Sequence, residues 1–319
     1  MKRIITILLA LLTFACSFNI VALADEDVFT KEQIEYYKNL GLQGTTVNVY
    51  NWGEYISDGS EGSMNVVSEF ERLTGAKVNY TNYESNENMY SKLSGGGVSY
   101  DVIVPSDYMV SRLVDEDMLV EIDWNNVPNI KYIEEDCKNL YFDPEQKYTL
   151  CYNVGTTALI YNTELVKEEP TSWKVLWDEQ YKDKILMFNN SRDAFAIAQA
   201  ILGQSLNTVS ESDWTKAAEL LAEQKDAVSP VYVMDEVFNL MESGEYAFAT
   251  YYAGDYVLMN ENNDKLAYCF PEEGVNLFYD AFCIPKCVQN KKGAEAFINF
   301  MKSGSVSAYA LGAPYTTYM

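Results

Sequence analysis

Thr46-Val47-Asn48-Val49-Tyr50-Asn51-Trp52 opens the ordered part of this chain as a strand, Val47 and Val49 alternating against Asn48 and Tyr50. Beyond the turn-rich Ser57-Asp58-Gly59-Ser60, Val66, Val67, Phe70 and Leu73 share one helical face, and Gly75 supplies a stop. A strand over 77–83, a helix over about 86–93, a buried strand over 100–104 ended by Pro105, and a helix after Ser106 follow. Such alternation indicates α/β architecture with parallel βαβ units covered on both faces.

A second α/β region starts near Tyr152, where 157–162 reads as a strand carrying the chain across to another lobe. It continues through 171–177, a strand at 185–188, an Ala-rich helix over about 193–202 and a helix over about 213–224. Helix and strand alternate again over 235–243, 245–252 and 265–270; strand 278–284 then returns to the first lobe, and a helix over 292–301 follows. The expected organisation is 46–151 with 272–319 as lobe 1 and 152–271 as lobe 2. Residues 25–45, polar with one short helical pattern, are expected to be a tether.

At 319 residues and 48% hydrophobic content the chain can bury two cores. Lys2 and Arg3, an apolar stretch from Ile4 to Ala15 and Ala22-Leu23-Ala24 make 1–24 a secretory signal peptide. Two further readings stay open: an uncleaved anchor, and lipid attachment at Cys16 after the poor lipobox Thr13-Phe14-Ala15. The formal net charge is −24, and losing Lys2 and Arg3 with the leader leaves −26. A surface of that sign repels nucleic acid and anionic membranes and attracts cations.

Histidine is absent, which removes Ser-His-Asp and Cys-His nucleophile systems and His-ligated metal sites. Neither a Walker sequence nor Gly-x-Gly-x-x-Gly occurs, and Gly95-Gly96-Gly97 reads as a turn. Cys137, Cys151, Cys269, Cys283 and Cys287 match no zinc signature, so most are expected to be buried small hydrophobes, with no disulfide assignable. No cofactor and no metal site is expected.

Aromatic and polar residues cluster where three strands end: Asn51-Trp52-Gly53-Glu54-Tyr55, the run Tyr83-Glu84-Ser85-Asn86-Glu87-Asn88-Met89-Tyr90, and Val104-Pro105-Ser106-Asp107-Tyr108. Strand ends are where open α/β sheets bind ligands. In wording and spacing these segments resemble the spermidine/putrescine-binding proteins of ABC-type polyamine importers. Thr171-Ser172-Trp173, Leu176-Trp177, Pro271-Glu272-Glu273-Gly274 and Gly293-Ala294 extend the resemblance over about 46–317.

The resemblance implies a two-lobed periplasmic-binding-protein fold with crossover strands and a ligand cleft between lobes. It further implies a receptor rather than an enzyme, a polyamine ligand, delivery to a membrane ABC permease and its ATPase, a monomer, and a place in the periplasm or at the cell surface. Trp52, Tyr55, Tyr108, Tyr252 and Phe278 would form an aromatic box, with Gly53 and Ser106 beside it. Each cation resting on a ring gains about 0.5–2 kcal/mol. Asp280 would receive one amine.

At the start of the Ala-rich helix, relatives carry two acids three residues apart, whereas this chain has Asn190 and Asp193. One charge is lost there. Asp255, in Tyr252-Ala253-Gly254-Asp255, resembles an acid of putrescine-preferring members and is a candidate replacement. Asp193 has a second reading as an acid stabilised by a helix N-terminus. The C-terminal Gly312-Ala313-Pro314-Tyr315-Thr316 departs from the relatives' Gly-Tyr-Pro-Thr-Pro. The alternatives are a receptor of the same fold for another small cation or an amino acid and, more remotely, a glycosidase using Glu54 or Asp280.

Overall fold

The computed structural model describes residues 27–53, 55–60, 63–304 and 306. The leader, Cys16, Glu54 and the departure at 312–316 lie outside the described residues. Helix α1 (Lys31–Lys38) is closed by a capping box between Thr30 and Gln33. Strand β1 (Thr46–Asn51) then leads to α2 (Val66–Thr74), capped by the Asn65 side chain and ended by Gly75 at φ +69°, a left-handed position that glycine adopts without strain. β2 (Lys77–Asn82), α3 (Asn86–Ser94), the short β3 (Val102–Ile103) and α4 (Asp107–Asp115) complete this part.

A 14-residue strand, β4 (Thr149–Asn162), follows. The next elements are β5 (Ile185–Phe188), α5 (Ser191–Ile201), α6 (Glu211–Val228), β6 (Val231–Val233), α7 (Val237–Glu242), β7 (Phe248–Tyr252), α8 (Asp255–Asn262) and β8 (Leu266–Cys269). β9 (Leu277–Cys283) and α9 (Lys291–Met301) end the described chain. Expected boundaries hold within a few residues, but β6 and α8 were not expected and β4 begins eight residues earlier than the sequence suggests.

The strands run in the order β2-β1-β3-β9-β4-β7-β5-β6, with β8 also on β4. β1 pairs parallel with β2 and β3, and β5 pairs parallel with β6 and β7. Between these halves β4 and β9 run antiparallel from Thr149–Cys283 to Thr156–Leu277, with an irregularity between Cys151 and Asn153. The remainder of β4, Thr157 to Asn162, pairs with β7 and β8. One strand thus belongs to both halves.

Each half has its own apolar core. Trp173, Leu176, Phe188, Ile197 and Phe248 are buried in one; Val47, Val49, Phe70, Phe297 and Phe300 are buried in the other. A third cluster, with Tyr50, Tyr83, Tyr100, Met109 and Leu113, lies under α3 and α4. Every such side chain fully withdrawn from water contributes about 1.5–3 kcal/mol. The segment expected as a tether is structural: Phe29, Tyr37 and Leu42 are buried, and Tyr37 meets Phe300 edge-on at 5.5 Å. The Asn299 amide donates to the Tyr37 hydroxyl at 3.1 Å. Among the described residues no helix is long and apolar enough to cross a membrane. The five described cysteines are free thiols, three of them buried.

Candidate functional site

Where the two halves face one another they enclose a cleft of about 900 Å³. Trp52, Gly53, Tyr55, Ser106, Tyr108, Asn190, Asp193, Tyr252, Asp255, Phe278 and Asp280 all line it. They come from the ends of β1 and β7, the first turns of α4, α5 and α8, and β9. Sequence positions up to 228 residues apart meet because strand ends on both sides converge there.

Asp280 sits on β9 opposite Asn153 and bridges to Ser106. It is buried, and its Oδ2 accepts a hydrogen bond from the Tyr55 hydroxyl. Asn153 Nδ2 in turn donates to that hydroxyl at 2.9 Å. Oδ1 of Asp280 has no hydrogen-bond partner. Burial pushes its pKa up to about 7, against the pull of the Ser106 and Tyr55 hydroxyls and with a smaller upward push from Asp107 and Asp193. A buried carboxylate oxygen without a partner is costly unless a cation or donor arrives.

Across the cleft Asp193 is also buried, accepting from Tyr252 Oη and from Asn276 Nδ2, each at 3.0 Å. Burial raises its pKa to about 6, while those two bonds and Arg192 oppose the rise. Asn190 caps α5 by accepting the Arg192 N–H at 3.0 Å, and its amide reaches the Tyr252 hydroxyl at 3.4 Å. Asp255 occupies the first position of α8 on the cleft wall.

The rings are fixed from behind. Trp52 donates its indole N–H to Val104 O at 2.9 Å and packs on Tyr83 at 4.7 Å. Tyr55 meets Tyr152 edge-on at 5.3 Å, and Tyr152 donates to the Tyr55 carbonyl at 2.6 Å. Tyr252 meets Phe278 at 5.3 Å, also edge-on. Gly155 on β4 lies directly under the Phe278 ring, so that a Cβ there would overlap it. Tyr108 donates its hydroxyl to Glu87 Oε1 at 3.0 Å.

Several lining residues were not singled out from sequence. Asp107 accepts the N–H of Tyr108 at 2.6 Å and of Tyr279 at 3.3 Å, and burial raises its pKa. Asp235 accepts the Tyr251 hydroxyl at 2.9 Å and stands so close to Gly53 that a Cβ there would lie 2.5 Å from its Oδ2. Asp107 is legible in hindsight from its place beside Ser106, whereas Asp235 follows an unpatterned short strand. The wall carries Glu84, Asp107, Asp193, Asp235, Asp255 and Asp280, while Arg192 is its single basic residue among those described. Among the described residues no group of three or more acids or cysteines is placed to hold a metal ion.

Acids at spaced positions with rings between them form a receptacle for a cation bearing an apolar body, closed by two halves around it. That combination of fold and site defines a solute receptor. The profile of the bacterial extracellular solute-binding proteins matches residues 65–317, and the chain belongs to that family. It is 34% identical over 286 residues to spermidine/putrescine-binding periplasmic protein 1 of Haemophilus influenzae, covering 88% of this chain and 78% of that one. The spermidine/putrescine-binding periplasmic protein of Escherichia coli K12 is 32% identical over 258 residues, covering 80% and 72%. Among solved structures, the spermidine/putrescine ABC transporter substrate-binding protein PotD of Streptococcus pneumoniae superposes with a TM-score of 0.66 at 33% identity, over 84% of this chain and 80% of that one. The two-lobed fold of these receptors is the fold of this chain.

Proposed function

We propose that this protein captures linear polyamines, putrescine and spermidine, outside the cytoplasmic membrane and passes them to an ABC permease and its ATPase. The observation that carries this reading is the partnerless Oδ1 of buried Asp280 in an acidic, ring-lined cleft. An ammonium placed there gains a desolvated charge-assisted hydrogen bond, and the methylene chain behind it lies against Trp52, Tyr252 and Phe278. We assign the ligand contacts to the eleven residues expected from sequence, with Asp280 receiving one amine and Asp193 with Asp255 the other. Lobe 1 is taken as 46–151 with 272–319 and lobe 2 as 152–271, in a secreted monomer. The names of the relatives at 34% and 32% identity support the ligand class.

Calorimetry with putrescine, spermidine and spermine tests the proposal. A dissociation constant on the order of micromolar or tighter for one of them is expected. Absence of heat from all three sinks it, and mass spectrometry of ligand co-purifying with the protein then identifies the true solute.

A further inference from the structure

Two thiols that the ligand site does not use stand side by side behind the cleft. Cys137 ends a short 3-10 turn (Glu135–Cys137), half-buried against the core that holds Val47 and Phe297. Cys151 is buried on β4, and its thiol interacts directly with that of Cys137. Side chains from two other elements mark the same spot: both thiols act electrostatically on Lys302, which follows α9, and on Tyr279 of β9. The Lys302 ammonium is buried and donates to the carbonyl of Tyr152, the neighbour of Cys151, at 2.9 Å. The other described thiols turn to backbone carbonyls, Cys269 to Pro170 at 2.9 Å, Cys283 to Ala281 at 3.7 Å and Cys287 to Tyr100 at 3.6 Å.

The pair connects two parts of the cleft wall. Cys151 lies opposite Ala281, the residue after Asp280, and borders the irregularity in β4. Cys137 opens the segment that brings Tyr141 to the wall. That segment is fixed at its far end by Asp143, whose carboxylate accepts the N–H groups of Lys147, Tyr148 and Thr149.

We propose that Cys137 and Cys151 are a disulfide site, closed by thiol–disulfide exchange outside the cytoplasm, that pins the segment bearing Tyr141 to β4. It takes its compartment from the reading above and is independent of the ligand; disulfides form and persist in such oxidising spaces. The oxidant is a low-molecular-weight or protein disulfide. Cys137, the thiol that solvent reaches, gives up its proton and attacks one sulfur of the oxidant, whose S–S bond breaks, and the other sulfur leaves and collects a proton. Cys151 then loses its proton, attacks the Cys137 sulfur and expels the second half of the oxidant as a thiol. Two protein thiols are oxidised, and one disulfide is reduced to two thiols. Burial lowers Lys302 to about 8, so in mildly alkaline solution its amine is placed to take up the Cys151 proton.

The test incubates the full chain with oxidised glutathione at pH 8, beside a sample kept in reductant, followed by thiol titration in denaturant, mass spectrometry of a non-reducing digest and thermal melts. Oxidation is expected to remove two thiols, to yield a peptide pair linked through Cys137 and Cys151, and to raise the melting midpoint by about 3–8 °C. Cys137→Ser and Cys151→Ser should abolish the redox dependence of the melt, and Cys287→Ser should keep it. Glutathione left attached to Cys137, a link between any other two cysteines, or a linked pair that melts no higher than the reduced protein overturns the inference. Oxidised and reduced wild type decide the point by themselves if a variant fails to fold, and none of these outcomes touches the polyamine reading.

Discussion

The Tyr55 hydroxyl bonds one carboxylate oxygen of Asp280 and leaves the other buried without a hydrogen-bond partner at the cleft wall. Tyr55 comes from the loop after β1 and Asp280 from β9, so the pair joins the end of the first strand in the chain to the strand that lies between β3 and the shared β4. Tyr55 is itself held by Asn153 and Tyr152 from β4. The acid is carried by a strand, and the tyrosine that bonds it is tied back to β4.

Asp280→Asn is expected to weaken polyamine binding by about 2–5 kcal/mol, since it removes one partner of a desolvated charge pair. Calorimetry at pH 8 measures it; wild-type affinity would show that the amine sits elsewhere.

The same substitution should stabilise the empty protein. With a folded pKa of about 7, Asp280 keeps a proton that the unfolded chain has already released near pH 4. Native protein then binds more protons than unfolded protein, and stability falls as pH rises from about 4 to about 7. Asp280→Asn escapes that loss, so at pH 8 a gain of about 2–4 kcal/mol is expected. A melt of ligand-free wild type and variant at pH 5 and pH 8 checks it, the difference being larger at pH 8.

Affinity for a polyamine should climb between about pH 5 and pH 8. Asp193 and Asp280, with pKa values of about 6 and about 7, are both partly protonated near neutrality, and a bound ammonium requires their ionised forms. Binding at pH 6.5 should release protons, read as a dependence of the observed heat on the ionisation enthalpy of the buffer. Proton uptake, or a flat pH profile, would contradict the assignment.

Gly155→Ala should push Phe278 out of the ring box, because the new methyl overlaps the ring. A loss of roughly tenfold in affinity, with the far-ultraviolet spectrum and cooperative melt retained, is expected from the loss of one ring contact worth about 0.5–2 kcal/mol.

Asn190→Asp keeps the oxygen that caps α5 and adds the charge that the resemblance leads one to expect there. Preference should move toward spermidine by roughly three- to tenfold. Direct competition between the two amines reads it, and a move toward putrescine would count against the charge argument.

Much of this was legible in sequence for a physical reason. Val47 and Val49 alternate cleanly because β1 buries them, and Gly75 ends α2 because the chain turns left-handed there. The first half of β4 was hidden because Asn153, Gly155 and Thr156 line a cleft, so their side chains answer to the ligand space and not to a core. The segment before β1 shows its short helix in the sequence, but it buries only Phe29, Tyr37 and Leu42 fully, with Val28, Ile34 and Leu40 partly buried, too few apolar residues in a polar stretch to signal that it packs on the core. Asp235 and Arg192 carried no local signal either, since their positions depend on which strands and helices stand opposite one another.

The irregularity in β4 between Cys151 and Asn153 falls one residue before the pairing of Asn153 with Asp280. Bulged strands twist and bend more readily than regular ones. Since β4 is the strand common to both halves and β9 pairs along it, a flexure there would tilt one half against the other and shift the backbone of Asp280 in the same movement. Grip on a ligand at Asp280 and the outward shape of the receptor would then be a single mechanical coordinate, and a membrane partner sensing the angle between the halves would sense whether the site is loaded.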